Sequence, residues 1–226
     1  MVQRRFQNFP RPRISNEEWE RRQREKFQQE WAKDTANKKR KQVEDALIES
    51  GLQEAVKTKT FDSFVATEPW QKKAKHECME YAADPKGWLL LSGQSGAGKT
   101  HLCTAIVGKL IEKDIPVWYM MYRDAIDVLK GLEGSKEDRE KLMNKYKKVR
   151  YLYIDDLFKG GISEADKRVM FALLNHRYTA HLSTIISTEL SVEELVDIDE
   201  ATGGRIIEEA RMVIIQSDSG KNYRLK

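Results

Sequence analysis

The sequence predicts an α/β protein with a central parallel sheet and helices on both of its faces. Two observations predict this fold. First, short apolar segments alternate with amphipathic helical patterns after residue 87, as in parallel sheets that are buried on both faces. Second, the first of these segments runs directly into a glycine-rich loop that is followed at once by a helical pattern. The predicted strands are Trp88–Leu91, Val117–Met121, Tyr151–Ile154, Thr184–Ser187 and Met212–Ile215.

The glycine-rich loop matches G-x-x-x-x-G-K-[ST], the pattern of a phosphate-binding loop between a strand and a helix. Its glycines free the backbone N–H groups, which form an anion cradle together with the start of the helix Lys99–Glu112. Lys99 adds a positive charge near the β- and γ-phosphates, and the Thr100 hydroxyl is a ligand for Mg²⁺. The loop therefore predicts that ATP and Mg²⁺ are the cofactors. The candidate nucleotide-binding residues are Gly93, Gln94, Ser95, Gly96, Ala97, Gly98, Lys99, Thr100 and His101.

Two adjacent acids follow the third predicted strand, in the segment YLYIDD. ATP hydrolysis needs one carboxylate for the Mg²⁺ shell and another to activate water. We expect Asp155 to reach the metal through water and Asp156 to accept the proton of the attacking water. Acids at a strand end also cap helices, so the catalytic interpretation depends on the loop upstream.

Two further candidates lie later in the chain. Thr188 and Glu189 end the fourth predicted strand, where a polar residue can hold the attacking water; an ordinary strand-ending turn is the alternative. Arg205 lies far from the loop along the chain and could act as an arginine finger on the nucleotide of a neighbouring subunit. A surface salt bridge with Glu208 or Glu209 is its alternative role.

The N-terminal region carries the whole formal charge excess of +4, because residues 1–50 contain 13 Lys and Arg against 9 Asp and Glu. Residues 1–14 have the composition of an unstructured basic leader. Ser15 and Glu18 form a capping box, after which Trp19, Phe27 and Trp31 share one helical face. This helix needs a partner for its aromatic face. The basic charge indicates an acidic or nucleic-acid partner, or else only a solvated face.

The Lys38–Lys41 run separates this helix from a second helical stretch ending near Gly51. We therefore expect a basic helical arm at residues 1–55 and an ATPase domain at 56–226. The domain opens with a loop or short strand at Thr60–Phe64 and a helix at Pro69–Tyr81. The chain has an insert after the second predicted strand, and its sequence pattern predicts helices at Asp124–Leu132 and Ser135–Lys148. Candidate DNA contacts at its basic end are Lys141, Lys145, Lys147 and Lys148.

The remaining composition argues against several classes of protein. Cys78 and Cys103 lack the spacing of a zinc module or a disulfide framework. No signal peptide and no apolar run near 18 residues is apparent, so we expect a soluble cytoplasmic protein without a membrane partner.

Taken in order, the segments GQSGAGKT, YIDDLF, STIISTEL, IDEATGGRIIEEA and NYR resemble the DnaC/DnaI-type replicative helicase loaders. These are AAA+ ATPases of the IstB-like ATP-binding superfamily, often encoded by bacteria and their phages, and the resemblance covers roughly residues 50–226. It implies a five-stranded parallel AAA+ sheet of order 5-1-4-3-2 with flanking helices. Because only about ten residues follow the last predicted strand, we expect no C-terminal lid, and the N-terminal arm is expected to form a helical extension. The resemblance also implies ATP-dependent assembly into a spiral oligomer that binds single-stranded DNA and delivers a DnaB-type hexameric helicase, docked through the N-terminal region.

Residue by residue, the resemblance places the phosphate loop at 93–100, the metal and base acids at Asp155 and Asp156, and the arginine finger at Arg205. Arg224, in the terminal tyrosine–arginine pair, corresponds to a second nucleotide-sensing arginine. The family usually has Asn where this chain has Glu189, which puts the water-orienting role in question. The zinc module of many members is also missing, so the helicase contact is expected to be purely helical.

Three alternatives remain open at this point. An IstB-type transposition helper shares the core but works with a transposase, and the N-terminal arm discriminates between the two. A P-loop kinase for a small metabolite needs a substrate pocket and a closing lid, whereas here the extra length forms an arm and an insert. A non-hydrolysing adaptor would bind ATP only to fix its shape.

Overall fold

The computed structural model describes residues 15–215, apart from the side chains of Ser50 and Glu133. The predicted basic leader and Arg224 lie outside the described residues. The helices are α1 (Asn16–Ser50), α2 (Gln53–Thr58), α3 (Pro69–Ala83), α4 (Lys99–Glu112), α5 (Tyr122–Gly131), α6 (Lys136–Lys148), α7 (Glu164–Thr179), α8 (Val192–Ile198) and α9 (Glu200–Glu209). The strands are β1 (Trp88–Gly93), β2 (Val117–Met121), β3 (Tyr151–Asp155), β4 (Ser183–Thr188) and β5 (Ala210–Ile215).

The strands form one five-stranded sheet in the order β2-β3-β4-β1-β5, and every pairing is parallel. This is the predicted order 5-1-4-3-2 counted from the other edge, so the prediction is confirmed. In the register, Leu91 of β1 lies opposite Ser187 of β4, and Ile154 of β3 lies opposite Ile186. The loops after β1, β3 and β4 therefore meet at the carboxyl edge of the sheet, where ligands of open α/β sheets bind.

The sheet has a hydrophobic core on each face. Successive residues of a strand point to opposite faces, so Leu89 and Leu91 enter one core while Trp88 and Leu90 enter the other. Helices α3 and α4 cover the first core, and α5 and α7 cover the second. The apolar face of α7 is buried there, through Val169, Met170, Leu173 and Leu174.

The prediction of two helical segments separated at Lys38–Lys41 is wrong, because helix α1 continues unbroken from Asn16 to Ser50. Straight-chain basic residues favour helix, and Lys38 pairs with Asp34 one turn earlier. The chain divides into two units between Lys41 and Gln42. In the second unit Val43 and Ala46 are buried, so the last turns of α1 belong to it. The predicted end of the arm, at residue 55, lies beyond this division.

Helices α8 and α9 lie between β4 and β5 along the chain. The glycine at 203 allows the two helices to pack closely. A Cβ atom there would lie 2.8 Å from the Cα of Val196 and 2.9 Å from the carbonyl oxygen of Leu195. Among residues 15–215, no helix combines the length and apolar character that crossing a membrane requires.

Arg177 of α7 is fully buried and joins three parts of the fold through its guanidinium group. Its Nη1 donates to the carbonyl oxygens of Tyr146 and Val149 at 2.8 Å each, and its Nη2 donates to that of Ser183 at 2.6 Å. The Nε atom donates to the Thr184 hydroxyl at 3.0 Å. The end of α6, the start of β4 and α7 are thus held by one side chain.

We expect Arg177→Met to lower the free energy of unfolding by about 3 kcal/mol, because it strands several buried carbonyl groups. Chemical denaturation of the two proteins measures this difference. The control is Arg168→Met, on the exposed face of the same helix, with an expected change within about 0.5 kcal/mol. Equal losses in the two variants would contradict a structural role for the buried guanidinium.

Candidate nucleotide site

The phosphate loop has the backbone conformation that its glycines predict. Gly96 and Gly98 have φ angles of 76° and 90°, in the left-handed region that L side chains avoid. A Cβ atom on Gly98 would also lie 2.7 Å from Cε2 of Phe64, so the position has no room for a side chain. Helix α4 begins at Lys99, and its N-terminus completes an anion-binding concavity.

Lys99 is inside this loop and only 5% exposed. Its Nζ donates to the carbonyl oxygens of Gly93 at 2.6 Å and Gln94 at 2.9 Å. Burial lowers the pKa of Lys99, and the negative charges of Glu189 and Asp156 oppose that shift. The ammonium group is therefore held inside the loop by the loop's own carbonyl oxygens.

Asp155 is buried at the end of β3 and accepts hydrogen bonds from several hydroxyl groups. Its Oδ1 accepts from Tyr153 at 2.6 Å, Ser187 at 2.5 Å and Thr100 at 3.2 Å, and its Oδ2 accepts from Tyr119 at 3.1 Å. This network fixes the carboxylate beside the first hydroxyl of α4. A hydroxyl and a carboxylate so placed are the hard oxygen donors that Mg²⁺ prefers, so the residues present fit the metal.

A cleft of about 210 Å³ opens between the phosphate loop and the ends of β3 and β4. Asp156 and Glu189 both line it, and the Nζ of Lys159 lies 2.9 Å from a carboxylate oxygen of each. Burial opposes ionisation of Glu189, but Lys159, with Ser95 and Lys99, holds its pKa below the usual value. The cleft is lined by Lys59, Ser95, Gly96, Gly98, Lys99, Thr100, His101, Asp156, Lys159 and Glu189.

Lys59 and Lys159 are cleft residues that the sequence patterns do not predict. The one available signal for Lys159 is its spacing, three residues after Asp156 in a turn. Lys59 lies before the domain's first predicted helix, and no motif includes it.

Thr188 is not among the residues that line the cleft. Its hydroxyl is fully buried, donates to the carbonyl oxygen of Leu157 at 2.8 Å and accepts from the N–H of Leu190 at 3.2 Å. These bonds terminate β4 and connect it to the turn after β3. The strand-ending alternative therefore describes Thr188, while Glu189, the next residue, lies in the cleft.

His101 lines the cleft and also anchors the turn at residues 60–64. Its Nε2 lies 2.9 Å from the carbonyl oxygen of Thr60 and 3.2 Å from the Ser63 hydroxyl. A carbonyl oxygen only accepts, so this contact assigns the ring proton to Nε2. The Phe64 ring meets the imidazole edge-on, with centroids 5.2 Å apart.

Arg205 lies on α9 and does not line the cleft of its own chain. Its Nε donates to Asn175 Oδ1 at 2.9 Å, and its guanidinium carbon lies 5.0 Å from the ring centre of Phe171. Among the ion pairs of residues 15–215, neither Glu208 nor Glu209 is a partner of Arg205. Glu208 accepts a hydrogen bond from the Tyr178 hydroxyl at 3.0 Å instead.

Comparison with known proteins identifies the family of the chain. The family model of the IstB-like ATP binding protein matches residues 16–226. The chain is 35% identical over 218 residues to the uncharacterized protein YqaM of Bacillus subtilis strain 168, covering 87% of this chain and 69% of the relative. It is 36% identical over 175 residues to the phage-like element PBSX protein XkdC of the same strain, covering 70% of this chain and 65% of XkdC.

The fold also matches a solved structure, a crystal structure of the DnaC helicase loader. The TM-score is 0.62 at 24% identity, over 69% of this chain and 96% of that one. The phosphate loop, the paired acids and the strand order of the predicted resemblance are thus found together. The chain belongs to the IstB-like ATP-binding protein family and has the AAA+ fold of the DnaC/DnaI helicase loaders.

Proposed function

We propose that this protein is a Mg²⁺-dependent ATPase that binds a DnaB-type replicative hexameric helicase and places it on single-stranded DNA. The observation that carries the proposal is the cleft at the end of β1, which is lined by a buried lysine, Thr100 and Asp156; the Thr100 hydroxyl also donates to Asp155 at 3.2 Å. Family membership and the fold shared with the DnaC helicase loader support it.

The residues in and beside the cleft divide the proposed hydrolysis among them. The loop amides and Lys99 bind the phosphates and offset charge that develops on them. Thr100 and Asp155 would hold Mg²⁺, which would polarise the phosphoryl oxygens. Asp156, which lines the cleft, orients the attacking water and takes up its proton.

The first part of α1 supports a role in docking the helicase. Trp19, Phe27 and Trp31 share one helical face and are 48%, 68% and 65% exposed. Ion pairs one turn apart, such as Arg22 with Glu18 at 2.7 Å, help to keep this segment helical. Exposed aromatic side chains in a row are typical of binding surfaces, since aromatic residues contribute most of the energy in many interfaces.

A pull-down with immobilised full-length protein tests the docking role, with a hexameric helicase and an IstB-partner transposase as the two alternatives. We propose that the helicase is retained and that replacing the three aromatic residues by alanine removes it. Selective retention of the transposase would favour a transposition helper, the second candidate, which the family model itself supports.

A basic groove of about 890 Å³ between α6 and α7 is the proposed path for single-stranded DNA. Lys136, Arg139, Lys147 and Arg168 line it, with Glu140 as its acidic residue. Of the four lysines predicted as DNA contacts, Lys147 lies in this groove. Lys145 instead pairs with Glu49, and its Nζ lies 3.9 Å from the ring centre of Trp118, so it is not proposed as a DNA contact.

We expect the triple change of Lys136, Arg139 and Arg168 to glutamine to weaken single-stranded DNA binding about tenfold or more and to reduce the salt slope by about 2. Fluorescence anisotropy at several salt concentrations measures both quantities. An affinity within about twofold of wild type would exclude the groove as the DNA path. The control variant changes Lys57, Lys86 and Lys109 to glutamine. These surface lysines pair with acids, and the variant removes the same number of positive charges outside the groove.

Arg205 is proposed as an arginine finger for the neighbouring subunit, because it lies outside its own cleft and is held by Asn175. We expect Arg205→Ala to leave ATP affinity within about threefold of wild type while lowering turnover about 10³-fold at concentrations that permit assembly. Steady-state hydrolysis across a range of protein concentrations measures this. Unchanged turnover would mean that Arg205 only packs against Phe171 and Tyr178.

A further inference from the structure

Lys159 lies between the two carboxylates of the nucleotide cleft. Its Nζ is 2.9 Å from Asp156 Oδ2 and 2.9 Å from Glu189 Oε1, and all three side chains line the cleft. The side chain of Lys159 is 43% exposed, so it lies at the mouth of the cleft rather than in its interior. The ion triad is therefore accessible to a ligand that enters.

The turn that carries Lys159 has an unusual backbone. Asp156 and Phe158 have φ angles of 56° and 60°, in the left-handed region where a bulky side chain is rare. Packing holds this conformation, because the Phe158 ring is 2% exposed and meets the Tyr122 ring edge-on at 5.6 Å. The N–H of Leu157 also donates to the carbonyl oxygen of Ser187 at 2.8 Å. Strain fixed in this way clusters at functional sites, and this turn carries the lysine whose Nζ contacts Asp156 and Glu189.

The charges of the cleft explain why a lysine is needed at this point. Asp156 and Glu189 would repel the terminal phosphate of ATP if their charges were not offset, and ADP lacks that phosphate. A lysine ammonium group has three donors, and two of them are directed at these carboxylates. The remaining donor can reach a phosphate oxygen in the cleft that Lys159 lines.

We propose that Lys159 recognises the terminal phosphate of the nucleotide, held in place by Asp156 and Glu189, and so makes the cleft prefer ATP to ADP. The inference rests on the proposed function in one respect, that the cleft binds ATP. It adds a second cation, besides Lys99, to the recognition of the triphosphate. Lys159 thereby compensates for the acid at position 189.

The test measures, by calorimetry, the affinities of the full chain for Mg²⁺ with a non-hydrolysable ATP analogue and for Mg²⁺ with ADP. We expect Lys159→Met to weaken binding of the analogue about tenfold, since a charge-assisted hydrogen bond is lost, and to change ADP binding less than about twofold. Lys159→Arg retains the charge and should keep most of the preference. Adding Glu189→Gln to Lys159→Met removes one repelling carboxylate and should recover part of the loss. Lys86→Met, at a surface lysine paired with Asp84, is the matched control.

An unchanged ratio of the two affinities in Lys159→Met would overturn the inference. If the ratio is unchanged because binding of both ligands weakens equally, Lys159 has a structural role only. If Lys159→Met does not fold, as judged by its thermal unfolding, the single variant Lys159→Gln, which also removes the charge, carries the same test of the ratio. Wild-type protein that binds neither nucleotide contradicts the proposed function instead, so the two failures are distinguishable.

Discussion

Lys99→Ala is expected to abolish ATP binding, with an affinity at least about 100-fold weaker than that of the wild type. Lys99 is the buried cation of the phosphate loop, and its Nζ lies within 2.6–2.9 Å of the loop's own carbonyl oxygens. The neighbouring backbone amides remain in the variant, but they do not replace the charge that faces the β- and γ-phosphates. Equilibrium binding of a fluorescent ATP analogue measures the loss.

The matched control for this prediction is Lys86→Ala. Lys86 is also a lysine paired through its ammonium group, to Asp84 at 2.9 Å, but its side chain is 83% exposed. Its loss should leave ATP affinity unchanged. Tight binding by a folded Lys99→Ala protein would refute the assignment of the loop. Thermal unfolding of both variants without nucleotide shows whether folding contributes to the result.

Asp156→Asn is expected to lower ATP turnover by about 10² to 10⁴-fold while ATP affinity stays within about threefold of wild type. The amide keeps the size of the side chain but cannot take up the proton of the attacking water. Lys159 keeps Glu189 as a partner in this variant, so the cleft should retain its shape. Phosphate release under saturating ATP measures the turnover.

The control for this second prediction is Asp84→Asn, which removes a surface carboxylate that pairs with Lys86. Turnover by Asp156→Asn close to that of the control would exclude Asp156 as the base. In that case Glu189, the other carboxylate of the cleft, becomes the candidate.

The parts of the fold that the sequence predicts well are those where one local pattern decides. Val117–Met121 is a continuous apolar run after a proline, and its predicted bounds are those of β2. Helix α7 belongs to the amphipathic patterns that alternate with the strands, and it begins with a capping box, in which the Ser163 hydroxyl accepts from the N–H of Asp166. The loop motif locates the cleft because glycine spacing reflects backbone geometry directly.

The features that the sequence does not predict depend on contacts between distant residues. Nothing local distinguishes Thr188 from Glu189, and only the bonds of Thr188 to Leu157 and Leu190 separate their roles. Lys159 becomes part of the site through a turn in which Phe158 has an unfavourable φ angle, which no sequence pattern indicates. A charged residue such as Arg177 is expected at the surface of α7 from the sequence alone, and its burial depends on carbonyl groups from other elements that it binds.

A crystal structure of the full chain with Mg²⁺ and a non-hydrolysable ATP analogue tests the central claim most directly. We predict that the triphosphate lies along the backbone amides of residues 93–100, with its terminal phosphate between Lys99 and the Lys159 ammonium group, and with Asp156 facing that phosphate. An analogue bound elsewhere, or a bound triphosphate with Asp155 and Asp156 both turned away from it, would contradict the ATPase assignment and the helicase-loading role built on it.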